Sequence, residues 1–242
     1  MKSVKKLSVL IVALGVSLTL NACTATENAV PAYKNADSSG SAESVDPPPE
    51  QQTVEEEPVW QRFTDPRIAY SFEVPETWSV EYNGGDPGQG IYEFEIYDED
   101  GERQLDYLSA LYSSWTGEDC PGDGVTLDVI ELDATPISLY EGADPEESGL
   151  RFVYRIAHSD GMPYVGSVAL TSGPEELGGT CVVSNVSQME GPALFADTRR
   201  INFINPERYD RDFDSLEEAQ DFMQTDLYKN LKQIILSLEL EQ

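Results

Sequence analysis

The sequence predicts an α+β fold for residues 59–242: one domain, a mostly antiparallel β-sheet packed by C-terminal helices in a sandwich-like α/β/α arrangement. Three observations carry the prediction. Apolar and polar residues alternate over several short runs, which is the period of half-buried strands. Turn residues separate neighbouring runs at hairpin spacing. Towards the C-terminus the apolar period changes to that of a helix.

Ahead of the domain, Lys2, Lys5 and Lys6 precede an uncharged, largely apolar run from Leu7 to Leu20, too short to span a bilayer, followed by Asn21, Ala22 and Cys23. Leu20-Asn21-Ala22-Cys23 resembles the lipobox of bacterial lipoprotein signals, with Asn21 a less usual choice at its position. The resemblance implies that residues 1–22 are a signal peptide and that Cys23 receives a diacylglyceryl thioether as the mature N-terminus. It also implies a protein anchored to the cell membrane on its extracytoplasmic side. Residues 23–58, rich in Ala, Ser, Thr, Pro and acids, include Pro47-Pro48-Pro49 and Glu55-Glu56-Glu57. Such a stretch cannot bury enough apolar surface to offset its ordering entropy, so a disordered tether is expected.

Within the domain, Ile68, Tyr70, Phe72 and Val74 alternate with polar or small residues up to Pro75, predicting a strand that Trp78 and Val80 continue after a Pro75-Glu76-Thr77 turn. Tyr92, Phe94 and Ile96 alternate with Glu93 and Glu95, Asp98 to Gly101 supplies a turn, and 104–112 returns as the second strand of a hairpin. A third run spans 125–132. The clearest hairpin places Leu150, Phe152, Tyr154 and Ile156 on one face, turns at Ser159-Asp160-Gly161 and returns over 164–170. A short strand is expected around 181–183. Ser215 and Glu218 match a capping box opening a helix with Ala219, Phe222 and Met223 on one face. After a break near Thr225, Leu227, Tyr228, Leu231, Ile234, Ile235 and Leu238 recur at helical spacing.

Phe63-Thr64-Asp65-Pro66, leading through Tyr70-Ser71-Phe72-Glu73-Val74-Pro75 to Trp78, and the closing Ile234-Ile235-Leu236-Ser237-Leu238 resemble the PsbP-like superfamily, including the mycobacterial LpqN-type lipoproteins. Ala69 stands where that opening often has glycine, and residues 173–210 have no counterpart. The resemblance implies an antiparallel sheet flanked by helices, in proteins that mostly act as accessory or binding factors.

Charge narrows the partners. The chain holds 15 Lys and Arg against 45 Asp and Glu, and losing residues 1–22 removes three lysines and no acid, leaving 12 against 45, a formal charge of -33. Nucleic acid is therefore not expected as a partner, since phosphate backbones are held by basic clusters and nothing larger than Arg199-Arg200 occurs. Self-repulsion favours a soluble monomer. Membrane contact is expected through the N-terminal lipid alone, with an envelope protein or a small molecule as further partner. Besides Cys23, Cys120 and Cys181 form an even pair in an exported chain, and a disulfide is expected. Closing that loop of about 60 residues contributes roughly 4 kcal/mol in the chain-entropy account.

Catalytic constellations are scarce. His158 is the only histidine, beside Ser159 and Asp160 at a hairpin end, where consecutive residues cannot align as a triad. With 37 acids in residues 59–242, paired carboxylates for glycoside hydrolysis carry no discrimination. Trp60, Trp78 and Trp115 can stack sugars, but Trp78 reads better as core. Asp210, Asp212 and Asp214 have the alternate spacing that opens a calcium loop, with Asp221 at its twelfth position. Ser215 replaces the glycine such a loop needs, and the segment reads better as the acidic lead-in to a helix. No other metal and no cofactor are expected. The function these readings favour is a non-catalytic binding or accessory factor. The alternatives are a calcium-dependent adhesion or sensing module and a carboxylate-based hydrolase.

Overall fold

A computed structural model describes residues 58–111, 126–140, 142, 144, 145, 149–172, 178–180, 183–185, 191–201 and 211–241. Cys23, Cys120, Cys181, Asp210, Trp115 and the whole of 1–57 lie outside the described residues.

The described chain is mostly antiparallel sheet with two helices. Its first strands, β1 (Trp60–Phe63) and β2 (Tyr70–Pro75), pair antiparallel, and the terminal β14 (Glu239–Leu240) adds on the other side of β2, giving a three-stranded sheet. Phe72 and Val74 are buried, as the alternation predicts, but so is Ser71. Its hydroxyl accepts from Arg62 Nη1 at 2.9 Å, which satisfies the polar group inside. Trp78 does not continue β2. Its N–H donates to the Pro75 carbonyl at 2.9 Å, and this turn hands the chain to β3 (Ser79–Asp86) at the edge of a different, larger sheet.

That sheet contains β4 (Ile91–Tyr97), β5 (Arg103–Leu108), β6 (Leu127–Pro136), β7 (Leu150–His158), β8 (Tyr164–Ser172), β9 (Gly178–Thr180) and β11 (Leu194–Ala196) as well as β3. Its order is β3-β4-β5-β11-β8-β7-β6-β9, with β13 (Asp212–Phe213) also paired to β8. Between them in sequence, β10 (Val183–Ser184) and β12 (Arg200–Ile201) form a separate two-stranded ladder. The two predicted hairpins are β4/β5 and β7/β8. The β3/β4 ladder is broken by a bulge between Tyr82 and Gly84. At Gly85, φ is 119°, and a Cβ there would lie 2.2 Å from the Ile91 carbonyl oxygen, so only glycine fits.

Alternation along the central strands separates two faces. Phe152, Tyr154 and Ile156 of β7 join Phe94, Ile96, Leu105, Tyr107 and Phe195 in one cluster, which the small sheet's Phe72 and Val74 also enter. Val153 and Ala157 face the other way, in clusters with Ala169 and Ala196 or Val165 and Ile201. The helices α1 (Leu216–Phe222) and α2 (Asp226–Leu236) cover the first face: Ala219, Tyr228, Leu231, Ile234 and Ile235 are buried in its cluster. Burying each of Leu231, Ile234 and Ile235 stabilises by about 1.5–3 kcal/mol.

The first helix start follows the capping prediction, and the residue expected only as a break, Thr225, is the cap of the second. Ser215 Oγ accepts from Glu218 N at 3.1 Å, and the Glu218 carboxylate reaches back to Asp214 N at 2.8 Å. Thr225 ends the first helical segment and caps α2 by accepting from Tyr228 N at 3.2 Å.

Candidate binding cleft

On the sheet face away from the helices, the β3-β4-β5-β11 end carries a concentration of charge. Because Tyr92, Phe94 and Ile96 turn towards the main core, Glu93 and Glu95 turn away from it. On β5, Leu105 and Tyr107 are inward and Asp106 is outward, directly opposite Glu95 in the ladder. A second bulge, between Ile96 and Tyr97, pairs Arg103 with Tyr97 and so brings Arg103 onto the Glu95 face. Arg199 arrives from the segment that follows β11. With Asn83 at the β3 end, these side chains line a cavity of about 410 Å³, within the range of small-ligand sites.

Carboxylates and guanidiniums interleave across it. Arg103 Nη1 lies 3.2 Å from Asp106 Oδ1 and 3.7 Å from Glu95 Oε1, while Arg199 Nη2 lies 3.4 Å from Glu93 Oε2. The Tyr97 hydroxyl donates to Glu95 at 2.5 Å, and the nearby carboxylate raises the Tyr97 pKa. The arginine side chains stay about 40% exposed (39% and 42%), so the rim exchanges with water and is open to ligand.

Beneath the cleft lies a buried polar network. Asp197 Oδ1 accepts from Ser167 Oγ at 2.8 Å, and its Oδ2 accepts from Val168 N at 3.1 Å and from Arg211 Nε at 2.9 Å. Asn185 Nδ2 donates to Ser167 Oγ at 2.6 Å and to the Thr198 carbonyl at 2.9 Å. The network fills a fork in the sheet. β8 pairs with β11 at Ala169 and with β13 at Val165, and between these points Gly166 N donates to the Arg211 carbonyl while Val168 bonds Asp197 through both N–H and C=O. Burial pushes the Asp197 carboxyl up, and the charge of Arg211 with the bonds from Ser167, Val168 and Arg211 acts in the opposite direction.

The residues singled out from sequence fall elsewhere. Asp212 sits in β13 opposite Val165, and Asp214 directly precedes the α1 cap, where its N–H donates to Glu218; Asp210, the first of the three, lies outside the described residues. Among the described residues, no group of three or more His, Cys, Asp or Glu is placed to hold a metal ion. His158 stacks on Tyr164 at 4.0 Å between ring centroids at the end of β7, and the following turn closes through Met162 N and the Ser159 carbonyl at 2.9 Å. Trp78 is buried in the main core, with Trp60 partly buried against it. No family model, curated protein or solved structure matches the chain. The PsbP-like resemblance therefore rests on its quoted residues alone.

Sequence reasoning passed over Glu93, Glu95, Arg103, Asp106, Asp197 and Arg211, and took Arg199 only as half of a basic pair. The alternation of Glu93 and Glu95 between aromatic and aliphatic residues was the available signal, since it places both carboxylates on one side of a strand.

Proposed function

We propose that this protein is a membrane-anchored, extracytoplasmic lipoprotein that acts without catalysis as a binding or accessory factor, and that the β4-β5-β11 cleft is its binding surface. The observation that carries the reading is the interleaving of Glu93, Glu95 and Asp106 with Arg103 and Arg199 around an open cavity of about 410 Å³. Four carboxylates lining one cleft also fit a hydrolase, but that chemistry needs a proton donor beside an ionised partner. Here Glu93, Glu95 and Asp106 each lie against a guanidinium, and Asp197 has both oxygens occupied beneath the cleft. Binding is the better fit.

The reading includes residues 1–22 as a signal peptide, lipidation at Cys23, a tether over 23–58, a Cys120–Cys181 disulfide, a monomeric state, no nucleic-acid partner, and a sandwich-like domain with the helices as one outer layer. Two experiments test it. Cys23→Ala is expected to move the protein from the membrane fraction to the medium or periplasm, or to leave an uncleaved precursor; mature protein with an unmodified Cys23 by intact mass rejects the anchor. Equilibrium dialysis of the full chain against a small-molecule extract of the cell envelope, read by mass spectrometry, is expected to retain a compound that the Arg103→Gln/Arg199→Gln double variant does not. Equal retention by both forms, none by either, or conversion of the retained compound overturns the reading.

A further inference from the structure

We propose that Asn83 is a site of self-modification, where the chain converts a side-chain amide on the cleft wall into a carboxylate without an enzyme. Asn83-Gly84 is the only Asn-Gly pair in the sequence. The pair matters because the main-chain nitrogen of the following residue is the nucleophile, and glycine puts no Cβ in its path. Once deprotonated, the Gly84 nitrogen attacks Asn83 Cγ. The new N–Cγ bond closes a succinimide ring, the Cγ–Nδ2 bond breaks, and Nδ2 leaves as ammonia. Water then opens the ring at either carbonyl. Cleavage at Cγ gives aspartate, whereas cleavage at the main-chain carbonyl gives isoaspartate, with the chain now running through the former side chain. One water is consumed, one ammonia is released, and nothing is oxidised or reduced.

The fold leaves this pair open to that chemistry. Asn83 is the extra residue of the β3 bulge: Tyr82 pairs with Phe94 and Gly84 with Glu93, and the ladder skips the residue between them. Its side chain is exposed, and among the described residues no hydrogen bond holds its amide. Among those residues β3 is also the outermost strand of the sheet, so β4 alone holds this stretch, and its register shifts here. At Gly84 φ is 128°, and a Cβ there would meet nothing within 4 Å, so neighbouring atoms do not crowd the closing ring. The other described asparagines are held. Asn185 is 1% exposed, and its amide donates to Ser167 Oγ and to the Thr198 carbonyl. Asn230 precedes Leu231 inside α2, where the helical ladder fixes the backbone and occupies the next nitrogen. Because Asn83 lines the cleft with Glu93 and Glu95, each conversion adds one negative charge to that wall.

Such conversion does not depend on what the cleft binds, so its failure leaves the binding reading standing. Peptide mapping by mass spectrometry tests it on the full chain, incubated for weeks at neutral and at mildly alkaline pH, with a parallel sample unfolded in guanidinium chloride. The peptide holding Asn83 is expected to gain the mass difference between amide and acid and to split into aspartate and isoaspartate forms, the latter identified by isoaspartyl methyltransferase labelling. The rate should rise in proportion to hydroxide, because the nucleophile is the deprotonated nitrogen. Asn185 and Asn230 should keep their amides while the chain stays folded. Conversion of Asn83 in the folded chain is expected within about tenfold of its rate in the unfolded one, as for a segment of low local stability. A folded rate more than about tenfold lower means that the bulge protects the amide and overturns the proposal. Aspartate without isoaspartate overturns the cyclic route. Asn83→Gln, which cannot close the same ring, should abolish the slow acidic shift of the folded chain on ion exchange. A shift that persists in this variant, or equal conversion at Asn185, overturns the assignment to Asn83.

Discussion

Arg211→Ala is expected to cost about 3–5 kcal/mol of folding stability, the range for breaking a buried ion pair from one side. The side chains of Arg211 and Asp197 are only 6% and 2% exposed, and Arg211 Nε donates to Asp197 Oδ2 at 2.9 Å. Removing the guanidinium leaves the carboxylate with Ser167 and Val168 alone, in a place water does not reach. It also removes the cation that lies 5.2 Å from the Phe222 ring and a bond to Gln104 Oε1 at 3.3 Å, so the sheet fork and the α1 packing loosen together. Two-state urea unfolding measures the loss. Two controls separate charge from packing. The double variant Asp197→Asn/Arg211→Met should recover most of the stability, since a neutral, well-filled site tolerates the absence of a pair. The deficit of the single variant should also shrink as pH falls towards about 4, the ordinary range for unfolded carboxylates. The sign follows from burial. A folded-state pKa above the unfolded one means that the folded chain binds the proton more tightly, so stability declines as pH rises between the two values. A cost under about 1 kcal/mol, against the range for a broken buried pair, with no change at lower pH, rejects the account.

Raising the pH above 10 is expected to unfold the domain steeply. Tyr107, Tyr154 and Tyr228 are 1%, 0% and 4% exposed, and burial pushes all three hydroxyls well above the ordinary tyrosine range. For Tyr228 the bond it donates to Asp133 at 2.6 Å adds to the effect. These groups cost nothing below their unfolded pKa of about 10, because both states hold the proton there. Above it the unfolded chain releases three protons that the folded chain keeps. Stability then falls by about 1.4 kcal/mol per pH unit for each, about 4 in total, which consumes a typical domain stability within a few units. The tyrosinate absorbance of these three residues and the circular dichroism should change together in one cooperative step. Tyr154→Phe should lower the slope by about a third, at the cost of about 1 kcal/mol for the bond donated to the Ala219 carbonyl at 3.0 Å. Ionisation of all twelve tyrosines near pH 10 with the fold intact contradicts the burial of these three hydroxyls.

What could be read in advance follows from the range of the forces involved. β4/β5 and β7/β8 were legible because their alternation and turns are local, and the α1 start was legible because Ser215 and Glu218 are three residues apart. The central strand β11 was not. Leu194, Phe195 and Ala196 are buried on both faces, so they show no period, and three residues are too few to display one. β14 and β13 are two-residue strands whose pairing to β2 and β8 is decided by tertiary contact. The cleft had the same obstacle in sharper form. Glu93 and Arg199 meet across 106 positions in the chain, and Glu95 meets Arg103 only because a bulge shifts the register by one residue. In a domain holding 37 acids, those few were indistinguishable until the sheet was assembled.

On the proposed membrane anchoring, the irregular margin of the large sheet matters wherever copies crowd together. Molecules tethered to a membrane meet one another in two dimensions and in a shared orientation, conditions under which an open strand border invites end-to-end growth into ribbons. β3 presents such a border, yet its bulge at Tyr82 and Gly84 interrupts the row of donors and acceptors, and Glu81 and Asp86 on the same strand add repulsion between copies. At the opposite border, among the described residues, β9 pairs with β6 only at Leu127 and Asp128, and the rest of that border is β6, whose register with β7 is itself broken between Glu131 and Asp133. Straightening the β3 kink is therefore expected to open that border to pairing between copies while each molecule stays folded.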